Sequence, residues 1–468
     1  MSLRLAPRPR PVHTVSDVTV WTGAGWQAHV DVALADGVVD EVRDHTPASG
    51  PDGAGVLEDP GVLDGSGAYL IPGFANTHTH VQQSLCRGVG EGRPLLEWLL
   101  AVGESMNAVT PERAYVATAA AALEGLLSGA TTLVEHMWPN PSAEVHDAVL
   151  AALDDVGVRA VLGRGVADRA DPSRRWGFDP RLMQSLDSAF ADVDRLRGAS
   201  GERVTLGLAV PNPRSLTIPG MRAAAAFAAE RDLTVMIHLS ETGTDDAMCR
   251  EHTGMSAIDY LAEGGLIGER LLAVHGVELD AAARRTLAAA GAAVSWNPVS
   301  NMRLGSGVAP VTELLAAGVA VGLGVDGAGS NDRQDMLETL RAGAYVQRAH
   351  ARRADLFDTA AMLAIACDGA ARALGQPDPA APGGVAPGRL ADLTLLRFER
   401  DFACLPVSDP GASLLTCGTP RIVDTVLVGG EVVVADGRST RIDVEALTRA
   451  LLAAGGPQRV PEKAGTLK

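Results

Sequence analysis

The sequence predicts an α/β fold: a (β/α)8 TIM-type barrel carrying a small β-sandwich built from both chain ends. Three observations predict it. Eight apolar runs recur through the middle of the chain, alternating with Ala/Leu-rich amphipathic stretches. Both ends are β-rich instead. The length, 468 residues, suits one large unit and a smaller one, since barrels of this type take about 250 residues or more. The expected division gives residues 1–70 and 381–468 to the sandwich and 71–380 to the barrel.

The N-terminal strands are Val18–Trp21, His29–Leu34 and Val38–Val42, the last two joined by turn chemistry at Ala35-Asp36-Gly37. The C-terminal strands are Ala391–Leu396, Ile422–Val428 and Glu431–Val434, with Gly429-Gly430 as a hairpin turn. Between them the eight runs are Tyr69–Phe74, Thr131–Glu135, Ala160–Gly163, Val204–Val210, Thr234–His238, Leu271–Val274, Ala293–Trp296 and Val319–Val325. Strands buried on both faces read as continuous apolar runs, not alternations. The spacers Pro111–Leu127, Ala143–Val156, Met221–Arg231, Ala281–Ala290 and Pro310–Ala317 read as helices.

Composition narrows the function classes. Hydrophobic residues make up 46% and charged residues 21%, enough for a sizeable core. A net charge of −17 disfavours nucleic acid and anionic membrane as partners. No run of about 18 apolar residues suggests a membrane span. No apolar segment follows the basic N-terminus as a secretory signal requires. The five cysteines, Cys86, Cys249, Cys367, Cys404 and Cys417, are scattered and never form a C-x-x-C pair. They fit a reducing, cytoplasmic compartment, and Cys86 reads as a small buried apolar residue.

The chemistry lies at the strand ends. His78 and His80 follow an apolar strand and a Pro-Gly break, and on extended backbone positions i and i+2 share a side. His238 and Asp326 each close an apolar run, and His275 follows one. A satisfied core histidine explains one such terminus, but not four of eight. The C-terminal strand ends of a barrel converge on one face. Imidazoles with one carboxylate suit zinc or iron.

These residues sit in ordered motifs: P-G-F-x-N-T-H-x-H, then H-L-S-E-T, H-G, S-W-N-P-x-S-N-M-R-L-G-S-G-x-A-P and G-L-G-V-D-G-x-x-S-N-D. Together they resemble the amidohydrolase superfamily, in its mononuclear deaminase and chlorohydrolase branch, which includes 8-oxoguanine, guanine and cytosine deaminases and triazine hydrolases. The tail Val385-Ala-Pro-Gly-Arg-Leu-Ala-Asp392 resembles the family's return to its β-sandwich. The resemblance implies His78, His80, His238 and Asp326 as ligands of one divalent metal, zinc before iron. It implies Asp326 as a proton acceptor, His275 as a contact to water or substrate, and Glu241 as the proton shuttle to a ring nitrogen. Two-metal members carry a lysine on the fourth strand; Leu206–Pro213 has none, which favours one metal.

The implied reaction is hydrolytic deamination of a small amino-substituted heterocycle, purine- or pyrimidine-like, such as 8-oxoguanine, guanine or isocytosine. The alternatives are an s-triazine chlorohydrolase or aminohydrolase and, from another class, a non-catalytic metal-binding barrel. The complete set of Glu241, His275 and Asp326 argues against the last. Gln83 at the mouth of the first strand reads either as a base contact or as a surface glutamine. Trp98 reads either as a cover over a flat ring or as a core anchor. Arg164, ending the third run, reads as a substrate contact. His136 is a further candidate for the pocket, while Asn301, Arg303 and Ser330–Asp332 are expected to shape the loops after strands seven and eight. Family members are often homo-oligomers, and the resemblance extends that expectation to this chain.

Overall fold

The computed structural model describes residues 3–5, 11–46, 59–138, 140–171, 179–375 and 383–455. The boundary expected at 380/381 lies outside them. Eight parallel strands form the barrel in sequence order: Phe74–Thr79, Ala130–Met137, Arg159–Gly165, Val204–Val210, Thr234–Leu239, Leu271–His275, Ala293–Trp296 and Ala320–Leu323. The segment just past the eighth strand closes onto the first strand. Asp326 N–H donates to the His78 carbonyl at 2.9 Å, and Val325 N–H donates to Asn76 Oδ1 at 3.0 Å.

One strand differs from the sequence expectation. The run Tyr69–Phe74 does not enter the barrel as a unit. Tyr69–Pro72 lies antiparallel to Leu393–Leu396 in the other sheet, and the first barrel strand starts at Phe74. Gly73 is the break. A Cβ there would lie 2.2 Å from Thr131 Cγ2, so only glycine lets the chain cross from one sheet to the other. His78 therefore lies inside the first strand and His80 just beyond its end.

The two chain ends build one mixed sheet of nine strands. Gly429 and Gly430, at φ +58° and +76°, make the tight hairpin their sequence suggests. Helix Pro111–Leu127 starts as proline and a capping threonine dictate, with Thr110 accepting from Arg113 N–H. Inside the barrel, Met236 fills the space left by Gly163 and Gly207; a Cβ on either would come within 3.0 Å of its thioether end. That packing fills the barrel centre and leaves the polar strand ends gathered above it.

Candidate active site

The first strand delivers His78 and His80 to one side, as an extended backbone requires. His80 Nδ1–H donates to the His136 carbonyl at 2.8 Å, and His238 Nδ1–H donates to the Pro211 carbonyl at 2.8 Å. Carbonyls only accept, so both Nδ1 atoms carry the proton and both Nε2 atoms present lone pairs. Those two Nε2 atoms lie 3.2 Å apart. His78 is fully buried and neither of its ring nitrogens has a hydrogen-bond partner. Asp326 Oδ1 lies 3.3 Å from His78 Nε2 and 3.6 Å from His80 Nε2.

Lone pairs facing each other beside an orphaned imidazole and a carboxylate are the donor set of a cation site. His78, His80 and Asp326 form one such group and His78, His238 and His275 another, each with ligand atoms within 4.8 Å of one another. The ionisation states agree. Burial, then the charge of His78, lowers His80 to about 4. Burial and the surrounding histidines hold His238 well below its ordinary value. Burial works to raise Asp326, but His78, His275 and His80 outweigh it and hold the carboxylate ionised. Neutral imidazole and ionised carboxylate are the ligating forms. The residues present fit a divalent metal.

Asp326 is fixed on its other oxygen. Ser300 and Ser330 hydroxyls donate to Oδ2 at 2.6 and 2.8 Å. Its φ is +64°, a conformation that costs an aspartate about 1 kcal/mol or more. His275, at φ +75°, is also turned out of ordinary strand geometry. Asn301 Nδ2 donates to His275 Nδ1 at 3.0 Å, so its proton sits on Nε2. That nitrogen lies 3.6 Å from Glu241 Oε2. Burial pushes His275 down to about 3, which keeps it neutral. Glu241 is 5% exposed, and burial, then the charges of Asp245 and Asp326, drives its carboxyl well above the ordinary range. The same surroundings favour its acid form, in contrast to Asp326, which is held well below its ordinary value.

A cavity of about 680 Å³ opens over this floor. His80, His136, His238, His275, Glu241 and Asp326 line its base. Gln83 and Trp98 line its wall, and both are fastened to the turn after the eighth strand: Gly329 N–H donates to Gln83 Oε1 at 3.3 Å, and Trp98 Nε1–H donates to Gly329 O at 2.8 Å. Arg164 is not in that wall. It is buried against Asp192 at 3.2 Å, the Gly165 carbonyl and Gln184. The residue expected to contact substrate is instead seen in an ion pair with Asp192 of helix Leu186–Ala199. His136 does line the cavity, with Nε2–H committed to the Val210 carbonyl at 3.0 Å.

Ser300 and Ser330 were not anticipated as partners of Asp326, nor Asn301 as the partner of His275. The one available signal was their clustering in the motifs after strands seven and eight.

Barrel, metal-ligand cluster and buried acid together define a metal-dependent hydrolase of the barrel type. The chain belongs to the amidohydrolase family, whose model matches residues 69–433. It is 36% identical over 395 residues to an 8-oxoguanine deaminase of Pseudomonas aeruginosa, covering 82% of this chain and 86% of that one. It is 34% identical over 404 residues to a 5-methylthioadenosine/S-adenosylhomocysteine deaminase of Desulforudis audaxviator, covering 86% and 90%. Among solved structures it matches an adenosine deaminase from Xanthomonas campestris with bound zinc at TM-score 0.82 and 25% identity, covering 96% and 98%. An atrazine chlorohydrolase of Arthrobacter aurescens complexed with zinc matches at TM-score 0.84, covering 94% and 99%. At 24% identity that last likeness speaks for the fold.

Proposed function

We propose that this amidohydrolase is a hydrolytic deaminase of an amino-substituted, purine- or pyrimidine-like heterocycle, with one divalent metal held by His78, His80, His238 and Asp326. The observation that carries the reading is the pair of carboxyl groups at the cavity floor in unlike settings: Asp326 among the clustered histidines, and buried Glu241 3.6 Å from His275 Nε2, the first pushed down and the second pushed up in its ionisation. Environments that push two acids apart assign donor and acceptor. The relatives named as deaminases support the same chemistry.

A divalent metal bound at these ligands supplies Lewis acidity that makes water acidic enough to yield hydroxide near neutral pH. We assign zinc over iron because three imidazoles and a carboxylate suit it, and zinc is bound in the related Xanthomonas structure. The remaining work falls to the chain. Asp326 accepts the proton that water gives up, with Oδ2 already held by two serines. Glu241 donates its proton to the ring nitrogen beside the amino-bearing carbon, which makes that carbon electrophilic. His275, with Nε2–H facing the same space, donates to the incoming oxygen. Water adds, Asp326 passes its proton to the amino nitrogen, the C–N bond breaks to release ammonia, and Glu241 takes back the proton of the added hydroxyl as the ring carbonyl forms.

The test is ammonia release from a panel of aminated purines, pyrimidines, pterins and triazines. Release of ammonia from at least one, dependent on Glu241, is expected. Halide release from chlorinated triazines without any ammonia would replace this reading with a chlorohydrolase.

A further inference from the structure

We propose that Arg303 is a positioning residue that holds a lid over the reaction cavity, by tying the loop entering helix Leu95–Asn107 to the turn after the eighth strand. The helix supplies Leu95, Leu96, Leu99, Leu100, Val102 and Met106 to the cavity wall, with Leu96 and Leu100 46% and 63% exposed. Its packing is a small cluster: Trp98, Val102 and Met106 with Cys86 and Leu304, against which Val89, Leu95 and Leu99 lie partly buried. The loop before it turns on Gly88, Gly90 and Gly92, at φ +75°, +73° and +71°, where side chains other than glycine are strained. Gly90 also lies under Trp98, whose ring a Cβ would meet at 2.9 Å.

Arg303 is the bracket. Its guanidinium is 10% exposed; Nε and Nη2 both donate to the Asp332 carboxylate, the second at 3.3 Å. Nη2 also lies 3.3 Å from Glu91 Oε2. Asp332 Oδ1 accepts the Gly88 N–H at 3.0 Å, and its φ of +68° turns the carboxylate to that place. Arg303 thus gathers the loop from both ends. It belongs to the short helix Pro298–Arg303, whose Ser300 and Asn301 hold Asp326 and His275. Lid and proton-moving groups share one anchor but use different side chains, so losing Arg303 loosens substrate binding and leaves the chemical step aligned.

The experiment compares Arg303→Met, Arg303→Lys and wild type, using the heterocycle found by the ammonia panel. Arg303→Met raises KM about tenfold or more while kcat stays within about twofold. Amide exchange across residues 88–103 of the substrate-free, metal-loaded protein speeds up about tenfold, with the barrel strands unchanged. Arg303→Lys restores most of both. Unchanged KM, unchanged exchange, or a fall in kcat alone overturns the proposal. Should Arg303→Met fail to fold, Asp332→Asn, which keeps an acceptor for Gly88, is read by the same outcomes. Should no heterocycle release ammonia, the deaminase reading fails and amide exchange alone decides this one.

Discussion

The side-chain amide of Asn301 donates to His275 Nδ1 at 3.0 Å, and that bond fixes which nitrogen of the histidine carries its proton. With Nδ1 occupied as an acceptor, Nε2–H is the group 3.6 Å from Glu241. Asn297 stands behind it at 3.4 Å as a second donor to the same atom.

Replacing Asn301 by leucine removes the donor while keeping similar bulk. The Nε2–H tautomer loses the shorter of its two supports, and kcat should fall by about 10-fold or more, toward the range for removing a partner that orients a metal-site histidine. Metal content, by elemental analysis, should stay at the wild-type level. An unchanged kcat would show that the tautomer does not matter.

Glu241→Gln keeps shape and loses the acid. Turnover should fall by about 10²- to 10⁴-fold with metal retained, since no proposed ligand is touched. In the wild type, burial and the charges of Asp245 and Asp326 raise Glu241 well above the ordinary carboxyl range. The acid form therefore persists above the ordinary carboxyl range and is lost as pH rises through the raised value. Activity should decline on the alkaline side, and a profile of kcat against pH checks it.

His275 makes stability depend on pH in a definite direction. Its folded value, about 3, lies below the ordinary 6.5 because burial disfavours the charged ring. Below 6.5 the unfolded chain takes up a proton that the folded chain refuses. Stability is complete above 6.5 and drains as pH falls toward 3, by up to about 1.4 kcal/mol per pH unit from this one residue. Urea unfolding of chelated protein at about pH 7.5, 6 and 5 measures the slope. His275→Gln should flatten it by that amount; an unaltered slope would remove His275 from the account.

Chelation should lower the melting temperature, because His80 and His238 are left with Nε2 lone pairs opposed at 3.2 Å. Adding back one equivalent of zinc should restore it. Calorimetric titration gives the stoichiometry, and two tightly bound ions would contradict the single ligand set.

Much of this was legible in the sequence because barrel strands are buried on both faces. Val204–Val210 and Ala293–Trp296 begin and end where their apolar runs do. Tyr69–Phe74 was equally apolar yet splits, since periodicity carries no sign of a sheet-to-sheet crossing at Gly73. The ligand-type residues were visible as interruptions at run ends. Arg164 sits at such an end too, but its partner Asp192 lies 28 positions away on a helix, and pairing across elements leaves no local trace. Ser300, Ser330 and Asn301 were hidden for the same reason: a hydroxyl or amide that holds another side chain looks like any loop polar residue.

Tyr69–Pro72 lies in the mixed sheet between Thr14–Trp21 and Leu393–Leu396. During synthesis this central strand keeps one bare edge until more than three hundred further residues have been made, the whole barrel among them. A ribosome stalled before Leu393 would hold a chain that carries every proposed metal ligand yet offers an unpaired strand to its neighbours. The late segment that closes the sheet adds no proposed ligand or proton-moving group, but it covers the strand edge on which a neighbouring chain could otherwise pair.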